Sequence, residues 1–375
     1  MIHKFYFLVV ATILIGCNQS QTKPSHLLPS GKILSFELDD QTPNVSPGFA
    51  VFGDLLFNIL WEQNQLQIYD ITHSRLLKSL DFEVEGDQGV GALFGFHVHN
   101  LDSIFLFGQA SPVIHLTDTT GRIKNSIRYG IPDGYSAAFV HPQYYVSPPQ
   151  VDNGELMVKT HVTGNYREMS NDNLKDKRLG YSIDLNTGQT SFIAHTYPDD
   201  YLERGLKQFE ASMAVGKDKI VYSFFGDHRL FYASSFAEEL QSRDAASQYL
   251  DATLKLFPVN GERIETQQYM FTSSRYDNLV YDPYRDVYYR FAYPTLDISD
   301  SNEIMKLRNA PGPFLIMILD SDLQVQGETF FEKGKYMPLN FFIHEEGLYL
   351  SVNHPDNPEN DEDQFKFELI ELSRK

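Results

Sequence analysis

Residues 66–82 of the chain carry the stretch LQIYDITHSRLLKSLDF. Two runs rich in apolar residues, 66–70 and 76–82, flank the polar residues Thr72, His73 and Ser74. This arrangement is typical of a β-hairpin, in which a polar turn joins two amphipathic strands. The stretch decides the fold class because similar units recur along the chain.

The recurring units each combine an apolar strand, a polar turn and a second strand. We predict such hairpins at residues 113–129, 180–195, 254–268 and 314–331. The spacing of their turns is irregular, which favours four-stranded propeller blades joined by loops of variable length. The predicted blades are residues 49–90, 91–133, 134–200, 205–272, 273–333 and 334–375.

Two strands remain outside the hairpins, at residues 32–38 (KILSFEL) and 365–372 (FKFELIEL). Pairing them would close a ring of blades and remove an open sheet edge. Two successive β-sandwiches are the competing architecture, but they would place a composition break near the middle of the chain, and none is visible. We therefore predict an all-β, β-propeller-like domain over residues 31–375 with six blades.

One stretch of the chain has the pattern of a helix. Ser235 and Glu238 fit a capping box, in which each side chain satisfies a backbone N–H group at the start of a helix. The residues that follow are rich in alanine and contain no proline as far as Leu250. We predict a short helical insertion near residues 235–250.

The N-terminus has the pattern of a secretory signal. Lys4 precedes an apolar run of eleven residues, Phe5 to Ile15, which is too short to span a bilayer. The sequence Leu-Ile-Gly-Cys at residues 14–17 resembles the bacterial lipobox. The resemblance implies removal of a signal peptide of residues 1–16 and acylation of Cys17; an uncleaved N-terminal anchor is the alternative.

Residues 17–30 are predicted to form a lipidated cysteine and a flexible tether. The residue after Cys17 is Asn18, whereas an aspartate there is associated with retention in the inner membrane. We therefore expect an outer-membrane lipoprotein, with the periplasm-facing orientation favoured over surface exposure. The net charge of −19 argues against nucleic acid as a partner, because such binding requires clustered cations.

Several other motifs in the sequence do not support a functional site. His97 and His99 share one face of a strand, but no third metal ligand is evident nearby. Residues 89–95 have the spacing GxGxxxG rather than that of a dinucleotide-binding loop, and residues 356–363 (DNPENDED) depart from an EF-hand at the sixth position. The sequence therefore yields no catalytic residue, metal site or cofactor site.

The segment 274–291 concentrates three arginines and five tyrosines in a markedly acidic protein. Five of its residues are candidate ligand-binding residues, since arginine binds oxyanions and tyrosine rings stack on ligands: Arg275, Tyr276, Arg285, Tyr288 and Arg290. The alternative is a structural role, in which the arginines pair with Asp282 or Asp286, or with carbonyl groups, because unpaired burial of an arginine is costly.

The lipobox, the irregular hairpins and the segment YDPYRDVYYRF at 281–291 together resemble a lipoprotein family of Bacteroidota with a six-bladed-propeller-like domain. The resemblance implies an envelope location and a propeller-like fold, and it brings no activity. We expect a non-catalytic envelope module that binds a peptide, glycan or protein. A lactonase-like or other hydrolytic propeller with metal-held carboxylates in its pore is the alternative, and a purely structural envelope component is a third interpretation.

Overall fold

A computed structural model of the protein describes residues 24–141 and 143–374. The predicted signal peptide (1–16), the predicted lipidation site Cys17 and residues 18–23 of the tether lie outside the described residues. Within the described ranges, no helix is long and apolar enough to cross a membrane.

Six four-stranded antiparallel sheets form a six-bladed β-propeller. Blade one consists of β2 (Phe49–Phe52), β3 (Leu55–Leu60), β4 (Gln65–Asp70) and β5 (Arg75–Asp81). Blade two consists of β6 (Leu93–Asn100), β7 (Ser103–Gly108), β8 (Val113–Thr117) and β9 (Asn125–Arg128). Blade three consists of β10 (Gln150–Asp152), β11 (Glu155–Lys159), β12 (Gly180–Asp184) and β13 (Thr190–Phe192).

The remaining blades follow in chain order. Blade four consists of β14 (Ala211–Val215), β15 (Ile220–Phe224), β16 (Arg229–Ala233) and β17 (Gln241–Asp244). Blade five consists of β18 (Arg275–Asp282), β19 (Val287–Tyr293), β20 (Phe314–Asp320) and β21 (Val325–Phe331). Blade six consists of β22 (Met337–His344), β23 (Gly347–Ser351), β24 (Gln364–Ser373) and β1 (His26–Glu37).

Short helices occur only in the connections of the described chain. They are a 3₁₀ helix (Tyr166–Glu168), α1 (Asn171–Leu174), α2 (Arg263–Thr272) and α3 (Ser301–Lys306). The hairpin at residues 66–82 is formed by β4 and β5, which confirms the hairpin prediction for that stretch.

The ring is closed by pairing the two ends of the described chain. Strand β1 lies antiparallel to β24, with His26 opposite Ser373 and Phe36 opposite Phe365. This confirms the predicted closure. Strand β1 begins at His26, however, so residues 26–30 belong to blade six and the predicted tether is too long by five residues. The backbone N–H of Ser25 already donates to Gln326 O of blade five.

The blades pack face to face through aromatic and aliphatic side chains. Phe36 of blade six meets Tyr69 of blade one with ring centroids 5.2 Å apart. Phe291 of blade five stacks on Phe341 of blade six at 4.7 Å. These contacts explain the nearly continuous apolar strands, since a blade buried on both faces has no solvent face to present.

The predicted helical insertion at residues 235–250 is wrong. Residues 241–244 form β17, the outermost strand of blade four, through ladder bonds to β16. The backbone groups that follow are also held by other elements: Ala245 O accepts from Arg290 and Ser247 N donates to the Tyr276 hydroxyl. Because neighbouring elements take these groups, tertiary contacts override the local helical propensity.

The predicted hairpin at residues 254–268 is also wrong. Its second half belongs to helix α2. A capping box starts α2, with Glu262 accepting from the N3 backbone and the Glu265 side chain accepting from Glu262 N. The Asn260-Gly261 pair therefore precedes a helix rather than joining two strands.

Strand alternation gives the propeller two distinct faces. The innermost strand of each blade starts at one face, which we call the entry face, and ends at the opposite exit face. Since the strands are antiparallel, the connections between blades and the loops between second and third strands lie on the entry face. Strand β1 is antiparallel to β24, so its first residue, His26, lies at the exit face.

Closure should be a large contributor to stability. Phe36→Ala removes a fully buried ring from β1 and should lower the free energy of unfolding by about 3–5 kcal/mol. Ile33→Ala is the matched control on the same strand, because Ile33 is 48% exposed, and it should change stability by less than about 0.5 kcal/mol. Urea denaturation measures both. Equal effects of the two substitutions would contradict a closure held by the buried face of β1.

Candidate functional site

Arg290 lies inside the protein, between blades four and five. Its side chain is 0% exposed, and its guanidinium carbon lies 3.3 Å from the centroid of the Tyr276 ring. Its N–H groups donate to Ser223 Oγ and to backbone oxygens at distances of 2.7–3.4 Å: Asp227 O, His228 O, Arg229 O and Ala245 O. All five donors are satisfied by the protein, so Arg290 has none left for a ligand.

Three other candidates from the same segment also lie in structural contacts. The Tyr276 hydroxyl contacts His228 Nδ1 at 2.8 Å and accepts from Ser247 N. Tyr288 is buried, with its ring 5.0 Å from that of Tyr281. Arg285, near the exit face, pairs with the buried Asp282 carboxylate at 2.9 Å and donates to two carbonyl groups of blade six, those of residues 344 and 345.

Arg275 is placed differently, because it starts β18 at the entry end of the central channel. Its guanidinium carbon lies 4.1 Å from the centroid of the Tyr293 ring, and only Nη1 donates to the protein, to two carbonyls at 3.3 Å. Within the described chain, its remaining guanidinium donors make no hydrogen bond. Of the five predicted ligand-binding residues, Arg275 alone combines a position at the channel with unused donors.

A carboxyl group lies beside Arg275. Asp277 is 4% exposed, and its Oδ1 accepts from Tyr145 N at 3.2 Å. Burial raises the pKa of Asp277 to about 6, although Arg275 and the Tyr145 N–H act in the opposite direction. Among the described residues, Oδ2 of Asp277 accepts no hydrogen bond and no direct ion pair forms with Arg275.

Three tyrosines surround this carboxyl group: Tyr144, Tyr145 and Tyr293. Burial is the main cause that raises the pKa of each phenol, and the charge of Asp277 adds to it in all three. No hydroxyl of the three makes a hydrogen bond to the described part of the chain. We call Tyr144, Tyr145, Arg275, Asp277 and Tyr293 the mouth cluster.

A strap of residues 143–147 crosses the entry end of the channel and carries two of these tyrosines. Its Gln143 side chain donates to Ser46 O, before blade one, and the Asn278 side chain donates to Gln143 O. Val146 N donates to Asn278 Oδ1 and Val146 O accepts from Met213 N of blade four. The strap is thus bonded to elements on three sides of the channel.

Tyr145 has a left-handed backbone conformation, with φ +47°. Such a conformation costs free energy in a residue with a bulky side chain, and it persists only when its surroundings hold it. Here the bond from Tyr145 N to Asp277 Oδ1 and the bonds of Val146 hold it. The strap therefore presents the Tyr145 ring at the mouth at the expense of local strain.

A second charged group adjoins the mouth cluster. Lys159 Nζ lies 2.9 Å from Glu210 Oε2, and His161 Nε2 lies 3.4 Å from the same oxygen. Burial acts to raise the pKa of Glu210, but Lys159 and His161 outweigh it and hold the pKa well below its usual range. Lys159 Nζ also lies 5.8 Å from the centroid of the Tyr145 ring, which joins the two clusters.

His141 fixes the start of the strap. Its Nδ1 accepts from the backbone N–H groups of Gln143 and Tyr144, so the proton of the neutral ring is on Nε2. Burial, with a smaller effect of Lys159, lowers the pKa of His141 to about 4. The ring is therefore neutral at pH 7, with one donor, Nε2–H.

The other motifs of the sequence contribute no comparable cluster. The rings of His97 and His99 are 6.5 Å apart, and burial lowers the pKa of His97 to about 4. The acidic stretch 356–363 lies between β23 and β24, as predicted, and Asp361 O accepts from the Asn44 and Asn353 side chains. Across residues 24–141 and 143–374, no three His, Cys, Asp or Glu side chains are grouped to hold a metal ion.

A large concave surface lies elsewhere, in a groove of about 1500 Å³ between blades three and four. Both acidic and basic side chains line it, and some of these pair with each other, such as Arg229 with Asp200 at 2.7 Å. None of the mouth-cluster residues lines this groove. We place the candidate site at the mouth because unpaired polar groups converge there, whereas volume alone provides no chemistry.

Sequence reasoning missed most of the mouth cluster. Tyr144 and Tyr145 lie in the connection between blades two and three, where the sequence HPQYYVSPP at 141–149 holds an aromatic pair among three prolines. An aromatic pair in a long, proline-rich connection was the available signal, because such loops carry function on a rigid scaffold. Asp277 carries no local signal that separates it from the other acidic residues of the chain.

The buried position of Arg290 predicts a structural role that can be measured. Arg290→Met leaves several buried carbonyl groups without donors and should lower the free energy of unfolding by about 3–5 kcal/mol. Arg308→Met is the control, since Arg308 is exposed in the connection between β19 and β20, and it should change stability by less than about 0.5 kcal/mol. Urea unfolding measures the free energy of unfolding of both variants. An Arg290→Met protein as stable as the control would refute the structural role.

The pKa of Asp277 predicts an unusual pH dependence. A carboxyl group whose pKa is higher in the folded protein than in the unfolded chain binds its proton more tightly when folded, so its ionisation lowers stability as the pH rises from about 4 through 6. Asp277→Asn keeps the acceptor for Tyr145 N and removes the ionisation. The variant should gain about 1–3 kcal/mol relative to the natural protein between pH 4 and pH 7.

Glu210→Gln is the matched control, with the opposite sign. The pKa of Glu210 is lowered in the folded protein, so its contribution is present above its unfolded pKa and is lost at lower pH. The Gln variant should therefore be less stable than the natural protein at pH 7. Chemical denaturation across pH 4–7 measures both variants, and parallel stability curves for natural protein and Asp277→Asn would disprove the assignment.

Comparison with known proteins supports the fold and identifies the family. The model of a domain of unknown function, DUF4221, matches residues 24–330. A crystal structure of a DUF4221 member from Bacteroides vulgatus is similar over 95% of this chain and 100% of that chain, with a TM-score of 0.80 and 24% identity.

A putative exported protein from Bacteroides fragilis is similar over 93% of this chain and 95% of that chain, with a TM-score of 0.57 and 10% identity. At these identities the likeness shows the propeller fold alone. No curated protein matches the chain. Because the family model covers most of the described residues, the chain belongs to the DUF4221 family.

Proposed function

We propose that this protein is a lipid-anchored module of the cell envelope whose propeller binds a ligand at the mouth cluster. One observation carries the binding proposal: an arginine, a carboxyl group and three phenols converge at one end of the channel with hydrogen-bonding capacity that the protein leaves unused. Binding sites combine apolar walls with a few such convergent polar groups.

The lipid anchor is proposed from the sequence at residues 14–17. Acyl chains on Cys17 would hold the protein stably at a membrane. A single acyl chain gives only marginal membrane binding, whereas several chains together give stable anchoring. Asn18 after the cysteine favours the outer membrane, with the domain in the periplasm. Cys17 precedes His26, the first residue of β1, by nine positions, which leaves a short connection between lipid and propeller.

The topology supports an orientation for the anchored domain. The first described residues join the propeller at the exit face. There Ser25 N donates to Gln326 O, near the start of β21. The mouth cluster lies at the entry face, on the opposite side of the ring. An anchor at the exit face would direct the mouth cluster away from the bilayer and leave it accessible to a ligand in the aqueous space.

The anchor is tested by lipid labelling in cells that express the full chain. The natural protein should incorporate labelled palmitate and fractionate with outer membranes, whereas Cys17→Ser should lose the label. Asn18→Asp should keep the label and shift the protein toward the inner membrane. An unlabelled natural protein would rule out the proposed anchor.

Ligand binding is tested with the full-length protein in detergent against a panel of oligosaccharides and short peptides. A binding compound should raise the melting temperature, and Arg275→Ala together with Asp277→Asn should weaken its binding at least tenfold. Tyr284→Phe is the control, because Tyr284 is 54% exposed on the exit face, and it should bind normally. Binding that survives both mouth-cluster substitutions, or no binding from either class, would refute a site at the mouth.

A further inference from the structure

A strip of aromatic rings runs along the entry face to the mouth cluster. Trp61, in the loop between β3 and β4, stacks on Phe94 with centroids 5.4 Å apart and planes 10° apart. The His141 ring lies 5.4 Å from Phe94 and 5.3 Å from Tyr144 of the mouth cluster. Phe139 completes the strip, 5.4 Å from Phe94. We call Trp61, Phe94, Phe139 and His141 the aromatic strip.

The strip is accessible rather than part of the core. Trp61 is 38% exposed, and Phe94, Phe139 and His141 are half-buried. The Trp61 indole N–H donates to Phe94 O, which fixes the ring, and the part of the ring that is not stacked on Phe94 provides the contact surface. Partly exposed aromatic rings in a fixed orientation provide large apolar contact area at little conformational cost.

The charged groups of the mouth cluster and of the adjoining Lys159–Glu210 pair balance one another, and Arg308, whose charge also acts on the Tyr144 phenol, is exposed to solvent. Lys159 pairs with Glu210, and Arg275 lies close enough to Asp277 to lower its pKa, without a direct ion pair. A ligand with a single charge would gain from one partner of each pair and be repelled by the other. The same groups provide both donors and acceptors to an uncharged ligand, through charge-assisted hydrogen bonds.

Buried polar atoms around the mouth also lack partners in the described chain. Ser273 Oγ, two residues before Arg275, makes no hydrogen bond there, and the only polar contact of His161 Nε2 is the 3.4 Å one with Glu210 Oε2. Ser273 is 2% exposed, so its hydroxyl is a buried polar group of the kind that is normally satisfied. A ligand rich in hydroxyl groups is complementary to such a set, because each hydroxyl both donates and accepts.

We infer that the aromatic strip and the mouth cluster form one continuous site for a neutral oligosaccharide. Sugar rings present apolar C–H faces to aromatic rings and hydroxyl groups at their edges, so the strip would stack sugar units and the mouth cluster would bind the terminal hydroxyls. This inference rests on the proposed function and specifies its ligand class. A peptide is less well matched, since it would bring the charges of its termini to a site whose charges already balance.

The chain provides a built-in probe for this site. Trp61 is the single tryptophan among 375 residues, so the tryptophan emission of the full-length protein reports on the strip alone. Titration with neutral oligosaccharides, such as gluco-, galacto-, manno- and xylo-oligosaccharides, should change the emission to saturation with at least one of them. Acidic oligosaccharides and short peptides of defined sequence are titrated in parallel.

Three variants localise the response. Phe139→Ala shortens the strip and Tyr144→Phe removes a single hydroxyl, and each should weaken saccharide binding at least about tenfold, or about 1.4 kcal/mol. Asp277→Asn should weaken it similarly while raising stability at pH 7, which separates lost binding from lost folding. Phe192→Ala is the matched control, because this ring is 48% exposed on blade three, away from the strip.

The outcomes separate the proposed ligand class, a neutral oligosaccharide, from the proposed location of the site at the mouth cluster. A saturating response to neutral saccharides that falls in the three variants and persists in the control supports the inference. Saturation by peptides or acidic saccharides alone, with the same dependence on Asp277, overturns the neutral-glycan inference and leaves the proposed site standing. Saccharide binding unchanged in Tyr144→Phe and Asp277→Asn overturns the location of the site, and no response to any class overturns both proposals.

Discussion

The pairing of β1 with β24 is the constraint on which the rest of the structure depends. Without this pair blade six would lack its outermost strand, and the chain that runs from β1 to β2 would no longer tie blade six to blade one. The closing strand also supplies Phe36, which packs against Tyr69 of blade one and so joins the last blade to the first. Ring closure sets the positions of the innermost strands and hence the distance between Arg275 and the strap. The same pairing brings the N-terminal end to the face opposite the mouth cluster.

Burial of charge explains why two arginines of one segment have different roles. Arg290 lies in the middle of β19, where both faces are covered by neighbouring blades. The free-energy cost of burying its guanidinium charge is offset by five hydrogen bonds to fixed acceptors. Arg275 lies at the first position of β18, beyond the packed interface, and uses one nitrogen for two long bonds. Asp277 follows within an irregular part of β18, between Tyr276 and Leu279, where the ladder register shifts. That irregularity directs Asp277 and Asn278 to the backbone of the strap instead of into a ladder.

Local pattern was sufficient for the blades and insufficient for the connections. Alternating strands and polar turns at residues 66–82, 113–129, 180–195 and 314–331 are hairpins in the structure, because each pair of strands is consecutive and its turn is local. The stretch 235–250 has helical propensity, yet Arg290 and Tyr276 of another blade take its backbone groups. The Asn-Gly pair at 260–261 has a hairpin signature but precedes α2. In the first case contacts distant in sequence outweigh a local preference of a fraction of a kcal/mol per residue. In the second case another local signal, the capping box of Glu262 and Glu265, outweighs the turn signature.

The amino-acid sequence was enough to predict an all-β chain of six blades, the pairing of its first and last strands and a pattern typical of a lipidated N-terminus. These features depend on local periodicity and on short motifs, which are visible in the sequence. The mouth cluster could not be read in this way. Its members come from residues 144–145, 275–277 and 293, which are up to 149 positions apart (293 − 144) and meet only after the ring has closed. Which arginine is buried, which carboxyl group is unpaired and which tyrosine is strained depend on the distances between blades, and those distances are properties of the packed ring rather than of any segment of the chain.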